Sequence, residues 1–178
     1  VRSSLVTIRT SKMTLFRYIL CCGAGAAIAS SAAVMISARL EGRSPLAPVN
    51  ATSHWLWGDE AGDHDKADVR HTAVGAATNV GAAFFWGSLF GAFLSSRPPR
   101  KPAALLRDAS VVGALASLVD YGLVPKRLTP GWELALSKRS VATAMAAMAL
   151  GLAGGGWAAQ RIEEDELIRR RRFTRLRH

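Results

Sequence analysis

Charged residues vanish from this chain in three long windows. Twenty-one residues separate Arg17 from Arg39, 26 separate Arg70 from Arg97, and 21 separate Arg139 from Arg161, with no Asp, Glu, Lys or Arg among them. A helix needs roughly 20 mostly apolar residues to cross the hydrocarbon core of a bilayer, so each window predicts a transmembrane helix. A fourth apolar stretch, between Asp108 and Lys126, is interrupted only by Asp120. The pattern predicts an all-α, integral membrane four-helix bundle, with spans over about 15–38, 72–94, 103–124 and 140–159. The third span is the weakest. Its apolar core is short, and it reaches span length only if Asp120 lies at the far interface or turns toward the bundle interior.

Breakers and polar runs mark what lies between. Arg97-Pro98-Pro99-Arg100-Lys101-Pro102 cannot continue a helix, since proline lacks the N–H and clashes with the preceding turn. It predicts a stiff, basic surface turn. The longest connection, 39–71, divides in two. Its first half holds Pro45, Pro48 and the cluster His54, Trp55 and Trp57; its second half sets Asp59, Glu60, Asp63, Asp65 and Asp68 against Lys66 alone. Tryptophan near a span end commonly rests at headgroup level, which is the reading for His54, Trp55, Trp57 and also Trp132. Small residues four apart let helix backbones approach in lipid, where no hydrophobic drive operates between helices. Gly87 and Gly91, Gly151 and Gly155, the row Gly23, Ala27 and Ser31, and the row Ala73, Ala77 and Gly81 have that spacing.

Charge adds sidedness. With a cytoplasmic N-terminus, the cytoplasmic Lys and Arg number 4 before span one, 4 in 97–107 and 7 in the tail 161–178, against 4 in 39–70 and 4 in 126–139 outside. The positive-inside rule therefore expects both termini in the cytoplasm and the outer loop 39–71 on the far side. The basic tail would also meet anionic lipid headgroups. Its Glu163–Glu166 cluster precedes Arg169–Arg172, a spacing suited to pairing along a surface helix. The net charge of +10 comes without any regular basic and aromatic surface, so nucleic acid is not an expected partner. A mean hydropathy of only +0.15 reflects charged ends diluting the apolar windows. The two cysteines, Cys21 and Cys22, are adjacent and lie in span one; they have neither metal-ligand nor disulfide spacing and read as small apolar filler. Val1 opens the chain, which makes Met13 a plausible start and span one an uncleaved anchor.

Three groups could carry chemistry. Glu60, His64, Asp68 and His71 would fall at i, i+4, i+8 and i+11 on one helical face, and imidazole with carboxylate suits zinc or another divalent metal. The same stripe could relay protons; the plain alternative is a solvated acidic face. Asp120 is an intramembrane carboxylate, which is costly unless it faces a cavity or a partner; the plain alternative has it at the interface beside Lys126 or Arg127. If both groups face outward, they share a membrane depth and could form one site. His54 with Trp55 and Trp57 is the third group, as a ligand floor or an interfacial belt. Phosphate-binding Gly-rich loops, the Gly-x-Ser-x-Gly elbow and His-Glu-x-x-His are missing from the sequence.

Two runs, Pro48-Val49-Asn50-Ala51-Thr52-Ser53-His54-Trp55-Leu56-Trp57-Gly58-Asp59-Glu60 and Asp120-Tyr121-Gly122-Leu123-Val124-Pro125-Lys126-Arg127-Leu128-Thr129-Pro130-Gly131, resemble segments of small uncharacterised bacterial inner-membrane proteins. The resemblance implies a bacterial cytoplasmic membrane and no particular activity. The expected function is a non-catalytic subunit or accessory protein of a larger membrane complex. The rivals are a metal- or proton-handling transporter component and a membrane enzyme with an outer-face site near Asp120 and His64, Asp68 and His71. No cofactor is required, and a divalent metal is the one that the residues could hold.

Overall fold

The structure is a computed structural model that describes the backbone of residues 2–175 and the side chains of residues 14–170. It is a helical bundle, and among the described residues it holds no strand. Six α-helices follow one another: α1 (Arg2–Leu40), α2 (Ala47–Ala51), α3 (His54–Trp57), α4 (Val74–Ser95), α5 (Pro102–Leu118) and α6 (Lys138–Arg175). Four helical stretches are long and apolar enough to cross a membrane, Thr14–Leu40, Val69–Ser95, Pro102–Leu123 and Lys138–Arg170. At a rise of 1.5 Å per residue the 22 residues of α4 cover roughly 33 Å, the thickness of the hydrocarbon core. The third apolar stretch gains its length from a π-type turn, Val119–Leu123, that continues α5 through Asp120.

The spans do not form a closed ring. α1 lies at the centre, packed along both α4 and α6, while α5 rests on α6 and scarcely touches α4. The order across the bundle is therefore α4, α1, α6, α5, with a cleft between α4 and α5.

Glycine sets the two central crossings. A Cβ at Gly87 would stand 2.5 Å from the Cα of Gly23, and one at Gly91 would stand 2.9 Å from Ile19 N, so α4 meets α1 backbone to backbone. Gly155 and Gly151 do the same between α6 and α1, where a Cβ would collide with the carbonyl oxygens of Cys21 and Gly25. These are the small-residue contacts the spacing predicts. The row Ala73, Ala77 and Gly81 is the exception. All three are exposed, and a Cβ at Gly81 would meet nothing within 4 Å. Large side chains fill what the glycines leave, with Phe90, Leu105, Leu152 and Val34 fully buried. Cys22 is buried with them, and both cysteines are free.

One end of the bundle carries a cap made of α2, α3 and short 3-10 turns at Asp59–Asp63, Lys126–Leu128 and Trp132–Leu134. Arg43 binds it together, donating to Ala135 O at 3.0 Å and Gly62 O at 2.9 Å. The opposite end is tied differently. α6 runs unbroken into the basic tail, and its acidic residues reach across to α1. Arg17 pairs with Glu166 at 2.7 Å, and Thr14 donates to Glu163 at 3.3 Å. Glu164 pairs locally, with Arg161 at 3.1 Å. The expected partners Arg171 and Arg172 lie outside the described side chains, as does the segment up to Met13.

Candidate metal centre

The acidic half of the outer loop does not continue α4 as a helix. Gly58 takes a positive φ of 82° and starts a 3-10 turn over Asp59–Asp63; His64 is then extended, and a π-type turn over Val69–Ala73 leads into α4. Glu60, His64, Asp68 and His71 therefore cannot share one helical face, and the expected i, i+4, i+8 arrangement is wrong. Glu60 is exposed and stands apart. The loop nonetheless folds His64 back over the start of α4. The ligand atoms of His64, Asp68 and His71 all come within 4.8 Å of one another.

Each of the three is held. Asp68 caps the start of the π-type turn, where its Oδ1 accepts the His71 amide at 2.7 Å and its Oδ2 faces His71 Nδ1 at 3.0 Å. The amide bond first, and the imidazole after it, hold the Asp68 carboxyl below the usual carboxylate range. His71 is 6% exposed; its ring meets the edge of Trp57 at a centroid separation of 6.5 Å. The His64 ring stacks on the His71 ring at 3.7 Å, with 18° between the planes, and its outer face is open to solvent. Trp57 is locked in turn, since its indole N–H donates to Arg70 O at 3.1 Å and the Arg70 guanidinium lies 4.0 Å over its ring.

Behind the cluster stands Asn50, fully buried. Its Nδ2 donates to His64 O at 2.7 Å and Lys66 O at 3.0 Å, while its Oδ1 accepts from Thr72 Oγ1 at 2.7 Å. Thr72 Oγ1 also accepts the Asp68 amide at 3.0 Å. One amide side chain thus fixes the loop on both sides of Asp68. Sequence reasoning missed Asn50, because its partners lie 14, 16 and 22 residues away and no local pattern announces them.

The other expected residues lie elsewhere. His54 is 2% exposed, not at a surface; its Nε2 lies 2.9 Å from Thr129 O, the same carbonyl that accepts from Trp55 Nε1 at 2.7 Å. These aromatic residues are built into the cap. Asp120, half-buried, lines a cavity between α4 and α5 with the Trp86 indole in reach. It makes no ion pair with Lys126 or Arg127 among the described residues. None of His64, Asp68 and His71 lines that cavity, so the two groups do not form one site.

What the cluster can do follows from its donor set. Two imidazoles and one carboxylate suit zinc and the neighbouring divalent transition metals, and poorly suit calcium or magnesium, which take oxygen ligands. Tetrahedral ligation at about 2.0–2.1 Å needs donor atoms roughly 3.3 Å apart. The exposed His64, the one ligand with open space around its ring, is the one free to move to that spacing. Comparison of the chain with protein-family models, curated proteins and solved structures yields no match.

Proposed function

We propose that this is a non-catalytic accessory protein of a bacterial inner membrane, with both termini in the cytoplasm, that presents a divalent transition-metal ion on its outer face. His64, Asp68 and His71 are the ligands, and a fourth position stays open to water or a partner's side chain. The observation that carries the reading is the convergence of the three ligand atoms within 4.8 Å on a loop whose backbone Asn50 pins. The surroundings favour a cation, because Asp59, Glu60, Asp63 and Asp65 flank the cluster against Lys66 alone, and such a field concentrates positive ions. The charge count supports the sidedness, which puts this loop outside.

Metal analysis of the purified protein tests the reading, beside His64→Ala and His71→Ala. The wild type is expected to hold close to one zinc per chain, and both variants to lose it while keeping their helical circular dichroism. Negligible metal in all three proteins, or equal metal in all three, overturns it. A C-terminal reporter that reads as periplasmic overturns the sidedness.

A further inference from the structure

The cleft between α4 and α5 closes over at its outer end into a cavity of about 580 Å³, a size that holds a small organic molecule. Met145 and Met148 come from α6, Trp55 and Trp132 from the cap, Trp86 from α4, and Asp120 from the turn that ends α5. The lining is otherwise almost wholly apolar, and Asp120 is its one ionisable side chain. No Lys or Arg pairs with Asp120 among the described residues. A carboxylate partly withdrawn from water is unfavourable without a cation beside it, and among the described residues no Lys or Arg supplies one.

We propose that this cavity binds an amphipathic ammonium ion, a single cationic nitrogen on an apolar body. The positive head lies between the Asp120 carboxylate and the faces of Trp55, Trp86 and Trp132. Indole faces attract cations, and aromatic walls with a carboxylate are the standard protein answer to an ammonium group. The apolar body follows the methionines and leaves between α4 and α5, where exposed Phe85 and Gly81 border the opening toward the lipid. Flexible thioethers line the part that must accept a chain of variable shape. The ligand reaches the site from the bilayer and not through the metal cluster, which lies outside the cavity wall.

The protein in phosphatidylglycerol nanodiscs is titrated with dodecyltrimethylammonium, read by tryptophan fluorescence. Dodecyl sulfate and dodecanol serve as charge controls. A saturable change with the ammonium compound alone is expected, weakened at least tenfold in Asp120→Asn. Gly81→Phe is expected to abolish it. A Cβ there meets no atom within 4 Å, so with helical circular dichroism as its folding check this variant decides the matter if Asp120→Asn does not fold. Absence of saturation, equal response to the three amphiphiles, or an undiminished response in Asp120→Asn or Gly81→Phe overturns the proposal. So does loss of the response in phosphatidylethanolamine nanodiscs, which would make the occupant the lipid's own headgroup.

Discussion

Adjacent glycines in α6 offer a test of how the bundle is held. A Cβ at Gly155 would stand 2.5 Å from Cys21 C and 2.7 Å from Cys22 Cα, whereas one at Gly154 would meet nothing within 4 Å. Carbon atoms pack at about 3.5–4.0 Å, so Gly155→Ala must push α1 and α6 apart by about 1 Å. Backbone cannot rotate out of the way as a side chain can. Such overpacking typically costs about 1–3 kcal/mol. Both substitutions also relieve the entropic cost of a helical glycine, about 0.5–1 kcal/mol, and this gain cancels when the variants are compared. Gly154→Ala is thus expected to match or exceed the wild type, with Gly155→Ala about 1–3 kcal/mol below it. For a chain of this size that is a gap of roughly 2–12 °C in Tm, measured by circular dichroism in one detergent. A gap under about 0.5 kcal/mol would mean that α1 and α6 do not pack backbone to backbone.

Two further outcomes follow from side chains that reach between segments. Asn50→Leu leaves His64 O and Lys66 O without their donor and is expected to cost about 1–3 kcal/mol in thermal unfolding; with the loop freed, zinc affinity should fall at least tenfold by competition with a chelator, and unchanged stability would show that Asn50 does not pin the loop. Glu41 accepts the Ser137 amide at 3.0 Å and the Ser137 hydroxyl at 2.6 Å just before α6 begins, and these bonds, the Ser137 hydroxyl first, hold its carboxyl below the ordinary 4.5. Its contribution to stability is therefore fully present above pH 4.5 and lost as pH falls through the lowered value. Glu41→Gln should lower Tm by an amount equivalent to about 0.5 kcal/mol at neutral pH, the low end for an exposed cap, with the difference shrinking as the pH falls below 4.5; a difference that grows in acid would refute the linkage.

The spans were legible because a bilayer imposes a length and excludes charge, and both leave marks in a single sequence. The close glycines were half legible. Spacing identified Gly87, Gly91, Gly151 and Gly155, yet the same spacing in Ala73, Ala77 and Gly81 describes an outward face, since period alone cannot say which side of a helix meets a neighbour. The metal candidates were found by chemistry and misplaced by geometry. Glu60, His64, Asp68 and His71 were read on one helix, but Gly58 and the extended His64 break it. Three of the four still meet, through a fold-back that depends on the long-range bonds of Asn50. Glu163 and Glu166 show the same limit, for their bonds to Thr14 and Arg17 of α1 lie 149 residues away in the chain.

Two of the groups singled out for chemistry place a residue in a π-type turn at the end of a span, His71 at the start of α4 and Asp120 at the end of α5. Such turns depart from the regular ladder and often occur at functional positions. At a membrane edge they let a span keep its apolar length while turning one polar side chain inward. The two sites share α4, which begins just after His71 and carries Trp86 into the cavity wall, and also α3, where Trp55 lines the cavity and Trp57 packs against His71. That short helix is pinned at both ends, by Thr129 O and by Arg70 O. Because these anchors are backbone carbonyls, removing the His71 ring leaves them in place. His71→Ala should accordingly abolish zinc and leave the ammonium titration within twofold of wild type, whereas Asp120→Asn should do the reverse. A parallel loss of both in either variant would show that the cap does not hold α3 rigid, and that the cavity and the metal cluster form one cooperative unit.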